Sequence, residues 1–235
     1  MPDPTPQLSG WVVPDTVRLR PAPGYEYAGF WRRSWAYLVD GLIVGVPFWI
    51  IAAPIIGSAV SSTNLSAIFA PGAYQIDPAT GAYLPSASTV AAINAISNKV
   101  IPVLDLLGLA YTLVQGLYFA VLWSRRGASL GQELLNVQVR TQSDGTRISF
   151  KRAWLRVFGT FIAGLILDIG FIWAAFDKRK QGWHDKIAGT VVIKPSGPRT
   201  KPVSSWIVGV VILAILAGIT AGTFFVGQLA SLTLQ

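Results

Sequence analysis

Apolar residues are concentrated in four long stretches of the chain, which are separated by polar and charged connections. The stretches are residues 34–56, 100–123, 154–176 and 206–226. Each reaches the roughly 20 residues that an α-helix needs to cross the hydrocarbon core of a bilayer. The pattern therefore predicts an all-α fold: a polytopic transmembrane helix bundle with about four membrane segments.

The composition supports a lipid environment, since 52% of the 235 residues are hydrophobic and only 13% are charged. Soluble domains carry roughly 25% charged residues. The net charge of +8 could indicate a nucleic-acid partner. However, the basic residues flank the apolar stretches, so we interpret them as a signal of membrane topology and expect no nucleic acid. Zero Cys and a single His argue against disulfides, thiolate chemistry and a multi-histidine metal site.

Positive charge marks the cytoplasmic ends of membrane segments, so Arg32 and Arg33 place the start of the first segment in the cytoplasm. Residues 1–25 lack the pattern of a secretory signal and are expected to form a flexible cytoplasmic tail. Residues 57–99 are rich in Pro, Gly, Ser and Thr and are predicted to be an irregular external loop.

Residues 124–153 form the predicted cytoplasmic connection between the second and third segments. Ser129 and Gln132 have the spacing of a capping box, which predicts a short helix after Ser129. Residues 137–141 and 146–150 alternate around a Ser-Asp-Gly turn, which predicts a small cytoplasmic β-hairpin.

The third segment, residues 154–176, has basic residues on both sides, and a simple crossing would leave one cluster outside. Either the segment re-enters the membrane, with a break near residues 167–170, or it is a plain span. We favour the re-entrant interpretation. Residues 195–235 are predicted to be a linker and a C-terminal transmembrane helix. The re-entrant interpretation places residues 177–202 in the cytoplasm and the C-terminus outside, whereas the plain span places the C-terminus in the cytoplasm.

A carboxylate within a membrane segment is expected to have a polar partner or a functional role, because its insertion costs a free energy of about 2.5–3.5 kcal/mol. Asp40, Asp105 and Asp168 qualify, and the last two are weaker candidates because both could be hydrated near an interface. Arg33 and Asp40 are two helical turns apart, about 10 Å along the axis and nearly on one face. This pair is either a structural ion pair or part of a transport site.

The single His, His184, precedes Asp185 in a basic stretch of the chain. A histidine that titrates near neutral pH could sense or relay protons, which makes His184 a further weak candidate. The alternative, which we favour, is a loop histidine that hydrogen-bonds to the backbone.

Several motifs together resemble the RDD family of bacterial membrane proteins, named for one arginine and two aspartates. The matching motifs lie at residues 28–33, 36–40, 129–137 and 176–192, and the resemblance covers about residues 26–194. Arg33 and Asp40 fit the first two signature residues, and Asp185 is the candidate for the third. The chain has Asn136 where the family usually has Gly.

The resemblance implies a multi-pass protein of the bacterial cytoplasmic membrane. Transport has been suggested for the family, and sodium/proton antiport for some members, so Arg33, Asp40 and Asp185 are the expected charged set of a small-solute or cation/proton transporter. The alternative is a non-catalytic accessory or assembly subunit of a larger membrane complex. A homo-oligomer is compatible with either function. We expect no enzymatic activity, cofactor or metal, since no catalytic motif is present.

Overall fold

The structure is a computed structural model that describes residues 21–165, 169–197 and 207–220. The chain divides into two compact units. The first comprises residues 1–46 and 114–235, and the second comprises residues 47–113. Residues 1–20 of the predicted N-terminal tail and part of the predicted C-terminal helix lie outside the described residues. The last part of that tail, residues 21–25, is described, and Ala22 in it is buried.

Helices dominate the described part of the chain. They are α1 (Phe30–Ser61), α2 (Ser66–Phe69), α3 (Ala87–Ala95), α4 (Ile101–Arg125), α5 (Leu130–Leu134), α6 (Phe150–Leu165), α7 (Ile169–Phe176), α8 (Trp183–Ala188) and α9 (Ile207–Thr220). A π-helical turn at Ile96–Val100 joins α3 to α4. The strands are β1 (Tyr25–Tyr27), β2 (Tyr74–Ile76), β3 (Tyr83–Pro85), β4 (Gln138–Thr141) and β5 (Thr190–Pro195).

Among the described residues, two helices are long and apolar enough to cross a membrane: α1, and the continuous helix Ala87–Arg125 that contains α4. Their outer surfaces are apolar; Ile51 on α1 and Leu106 on α4, for example, are 69% and 67% exposed. Such surfaces fit lipid better than water. Of the four predicted segments, the first two thus have clear spans, and α9 is shorter in its described part.

The third predicted segment consists of two helices, α6 and α7, whose axes differ by 101°. Gly170 allows α7 to lie close to α6, because a Cβ atom at this position would be 2.6 Å from the Cβ of Ala163. The predicted break is therefore present. Counted as one broken span, the pair would bring the candidates to three. Asp168 lies outside the described residues.

A three-stranded antiparallel sheet in the first unit has the order β1-β5-β4. The predicted hairpin is wrong in its pairing, since β4 pairs with β5, with Arg140 opposite Val191. The expected second arm is not a strand. Instead, a turn in which the Asp144 carboxylate accepts a hydrogen bond from the Thr146 N–H at 3.1 Å leads to Ile148, which is buried in the core.

The core of the first unit lies between this sheet and the ends of α4 and α6. Trp123, Val139 and Val192 are at most 1% exposed within it. The ring of Phe119 stacks on Trp123, with ring centroids 4.8 Å apart. This core holds α4, α6 and the sheet together at the place where the buried charged residues lie.

The second unit is more ordered than the predicted irregular loop. It contains the ribbon β2–β3 and helices α2 and α3. Ser86 caps α3 by accepting a hydrogen bond from the Thr89 N–H. The buried Thr89 hydroxyl donates toward the carbonyl oxygens of Ala67 and Ala73, at 3.1 and 2.9 Å. These local hydrogen bonds give residues 62–95 a defined conformation.

Candidate functional site

Arg33 and Asp40 are both buried in α1, at 4% and 0% exposure. They do not pair with each other, contrary to the ion pair considered from their spacing. Arg33 reaches the segment around α8, whereas Asp40 reaches α4 and α5. In the part of the first unit that the structure describes, Asp40 and Asp185 are therefore two separate buried carboxylates.

The Asp40 carboxylate accepts three hydrogen bonds. Tyr118 on α4 donates its hydroxyl at 2.6 Å, Ser129 donates its hydroxyl at 2.5 Å, and the backbone N–H of Gly131 donates at 2.7 Å. Within the described residues, Asp40 forms no salt bridge. A buried carboxylate without a cationic partner is unusual, because burial disfavours its charged form unless hydrogen bonds replace the lost water.

The short helix α5 positions two of these donors. The predicted capping box is present: the Ser129 hydroxyl accepts from the Gln132 N–H at 3.4 Å, and the Gln132 side chain accepts from the Ser129 N–H at 3.1 Å. Only glycine fits at position 131, since a Cβ atom there would lie 2.2 Å from the Ala36 carbonyl oxygen. Gly131 thus lets α5 pack directly on α1 beside Asp40.

Asp185, in α8, is the centre of the second cluster. Its carboxylate accepts hydrogen bonds from Arg33 and Arg156, and from the Gly182 N–H at 2.9 Å. Burial by itself raises the pKa of the Asp185 carboxyl, but Arg156 and Arg33 outweigh it and hold that pKa well below its usual range. Asp185 is therefore ionised, and it links α8 to α1 and α6.

His184 lies in the same cluster, in α8 rather than in a loop. Burial, together with the positive charges of Arg156 and Arg33, lowers its pKa to about 3, against the opposing effect of Asp185. The proton-sensing role considered from the sequence is thus not supported at neutral pH. The Nε2 atom lies 3.3 Å from a guanidinium nitrogen of Arg33 and 3.4 Å from a carboxylate oxygen of Asp185.

Arg156 is a site residue that the sequence patterns did not single out, since it is one of several basic residues near the start of the third segment. It is fully buried, and besides Asp185 it donates to the Thr190 hydroxyl at 2.5 Å. Its guanidinium carbon lies 4.7 Å from the Trp123 ring centroid. The signal was available, since Arg156 lies inside residues 154–176 and the rule on intramembrane charges applies to arginine as well.

A continuous series of contacts joins the two clusters. The Gln132 side chain that caps α5 also accepts a hydrogen bond from the Trp123 indole N–H at 2.9 Å, and Arg156 lies against that indole ring. With both carboxylates ionised and His184 neutral, the two arginines and two aspartates of the clusters balance in charge. Removing Arg33 or Arg156 would leave the buried Asp185 carboxylate with a single arginine.

The remaining candidates are not part of this arrangement. Asp105 is exposed on α4 in the second unit, and Asp168 lies outside the described residues. No group of side chains suited to hold a metal ion is found in the part of the chain that the structure describes.

The two apolar spans, with a small sheet beside buried charges, define a helical integral membrane protein. Its family follows from comparison with known proteins. The RDD family profile matches residues 27–189, more than half of the chain, and the chain belongs to the RDD family. Arg33, Asp40 and Asp185, the candidates for the family's signature, are all buried in the first unit.

Several bacterial proteins are similar to this chain. The uncharacterized protein YxaI of Bacillus subtilis is 32% identical over 71% of this chain and 96% of its own length. The uncharacterized membrane protein YteJ of the same organism is 24% identical over 72% of this chain and 82% of its own length. A proline-rich antigen homolog of Mycobacterium tuberculosis is 31% identical over 28% of each chain. No solved structure matches.

Proposed function

We propose that this protein is a small transporter that moves a proton or another cation across the membrane, with Asp40 as the ion-binding group. The observation that carries the proposal is that Asp40, wholly buried in a membrane-spanning helix, is held by hydroxyl and N–H groups and by no cation within the described residues. An intramembrane carboxylate of this kind is a functional-site candidate.

The surroundings of Asp40 favour a proton over a metal cation. The hydroxyls of Tyr118 and Ser129 can each either donate or accept a hydrogen bond, so they can serve both the ionised and the protonated carboxyl. The Gly131 N–H, in contrast, can only donate and would point its hydrogen toward a bound metal ion. Proton exchange at Asp40 therefore requires fewer changes in its neighbours.

Arg33 and Asp185 have a different role in this proposal. Asp185 already shares its charge with two arginines, and its low pKa keeps it ionised at physiological pH. These residues hold α1, α6 and α8 in place while Asp40 exchanges its ion. This differs from the idea that Arg33 directly tunes Asp40, because the side chain of Arg33 contacts Asp185 instead.

The setting that we propose is the bacterial cytoplasmic membrane, with the N-terminus in the cytoplasm. The basic residues beside the spans agree with this orientation under the positive-inside rule. We further propose that the protein has no enzymatic activity, since its sequence contains no catalytic motif.

The test is a flux assay with purified protein in liposomes, in which a pH gradient or a sodium gradient is imposed and internal pH is followed with a trapped dye. We expect Asp40→Asn to abolish the flux. Asp105→Asn is the matched control, because it removes an exposed carboxylate from a spanning helix outside the clusters. Equal flux in wild type and Asp40→Asn would refute the role of Asp40, and lack of flux by wild type with either gradient would refute transport of these ions.

A second candidate function, a non-catalytic accessory subunit, is favoured by the ribbon of the second unit. Both strands are exposed along their whole length, and Ile76 and Tyr83 are 61% and 74% exposed. Exposed apolar side chains of this kind often contact another protein. Purification under mild detergent, followed by native gel and mass spectrometry, tests it: a stoichiometric partner lost upon Ile76→Ser and Tyr83→Ser substitution would support this function.

A further inference from the structure

The turn between α7 and α8 contains a cleft of about 480 Å³ that the proposed transport function does not use. It is lined by two aromatic residues at the end of α7 and by polar residues of the turn. These are Trp173, Phe176, Asp177, Lys178, Arg179 and Gln181. Apolar and cationic groups thus meet in one cavity.

Helix α7 leads into this cleft with one apolar face turned outward. Ile169, Ile172, Trp173 and Phe176 are 43%, 45%, 44% and 80% exposed, and their spacing of three, four and seven residues places them on the same side of the helix. The opposite side is buried and made of small residues, Gly170 and Ala174. In a membrane protein, such an exposed apolar face is expected to contact lipid chains.

The cations of the turn differ in how they are paired. Asp177 is neutralised within the protein, because its carboxylate forms a salt bridge with Lys186 at 2.6 Å and accepts the N–H groups of Arg179 and Gln181 at 2.9 and 3.1 Å. Within the described residues, the side chains of Lys178 and Arg179 form no salt bridge. Two positive charges at the end of the apolar face therefore lack an anion.

We propose that this cleft binds the headgroup of an anionic phospholipid, with its phosphate against Lys178 and Arg179 and its acyl chains against Trp173 and Phe176. Charge complementarity selects an anionic headgroup, and the apolar face of α7 selects a lipid over a free anion. Basic residues at a membrane surface each contribute about 1 kcal/mol to the binding of anionic lipid.

The experiment is a titration of the delipidated full-length protein in detergent with phosphatidylglycerol, followed by native mass spectrometry. We expect the double variant K178A/R179A to bind phosphatidylglycerol about 30-fold more weakly than wild type, as two such contributions imply. The matched control K151A/R152A removes the same charge from the start of α6 and should leave phosphatidylglycerol binding at the cleft unchanged. If the alanine variant does not elute as a monodisperse protein, K178Q/R179Q replaces it.

Two further arms distinguish a lipid from a free phosphate. Substitution of Phe176 by Ser should weaken the binding of phosphatidylglycerol, and millimolar inorganic phosphate should not displace the lipid. An equal loss of phosphatidylglycerol binding in K178A/R179A and K151A/R152A would overturn the proposal. Equal affinity of the wild type for phosphatidylglycerol and zwitterionic phosphatidylcholine would also overturn it. Displacement by inorganic phosphate, with no effect of the Phe176 substitution, would identify a phosphate site in place of a lipid site.

Discussion

The burial of His184 makes the stability of the folded protein depend on pH. In the unfolded chain a histidine binds a proton below a pH of about 6.5. In the folded protein the pKa of His184 is about 3, so the folded state stays unprotonated at that position when the pH falls to 5. The unfolded state then binds more protons than the folded state, and stability falls as the pH is lowered.

The size of this effect follows from the distance between pH 5 and the unfolded pKa. At about 1.4 kcal/mol per pH unit, acidification from pH 7.5 to 5 should cost about 2 kcal/mol through His184 alone. For a chain of this length that corresponds to roughly 4–8 °C in Tm. The loss would be complete only below the folded pKa of about 3.

The assay is thermal unfolding in detergent, followed by tryptophan fluorescence at both pH values, for wild type and His184→Gln. The chain has a single His, so the difference in pH sensitivity between the two proteins reports on that residue. We expect the variant to lose less stability than wild type on acidification, whatever its absolute stability at pH 7.5. Equal losses in the two proteins would refute the burial of a neutral His184.

Substitutions at Gly131, Arg156 and Asn136 test the packing in and beside the two clusters, each by thermal unfolding. Gly131→Ala should lower the free energy of unfolding by about 3 kcal/mol, because its Cβ atom would meet a backbone oxygen and separate the N–H from Asp40. The control Gly41→Ala, with nothing within 4 Å of the new atom, should be neutral or slightly stabilising. Equal stability of the two variants would contradict the close approach of Gly131 to α1. Arg156→Met should cost about 3 kcal/mol by leaving Asp185 with one arginine, and an unchanged Tm would argue against that ion pair. Asn136 has a φ of 55°, so Asn136→Gly should be tolerated while Asn136→Ala costs about 1 kcal/mol; the reverse order would contradict the left-handed backbone.

Local signals in the sequence predicted local structure well. The capping box of Ser129 and Gln132 forms as expected, because both partners lie within one helical turn. The break after α6 was also predictable, because Asp168 and Gly170 interrupt the apolar sequence there. The left-handed conformation of Asn136 agrees with the glycine that the family usually has at this position.

The same sequence patterns could not predict contacts between segments that are distant in the chain. Helical spacing placed Arg33 and Asp40 near one face, but it could not show which partner each side chain would choose. Arg33 binds Asp185, a residue more distant in sequence, through a contact between side chains of α1 and α8. The pairing of β4 with β5 was missed for a similar reason, since a nearby turn favoured a local hairpin.

The Arg33–Asp185 contact also constrains how the protein is made. The two residues are 152 positions apart in the chain. At about 5–20 residues per second, the ribosome needs roughly 8–30 s to proceed from one to the other. During that time α1 has already been synthesised, but Asp185 has not. The contact that joins α1 to α8 can therefore form only when almost the whole family domain has been synthesised.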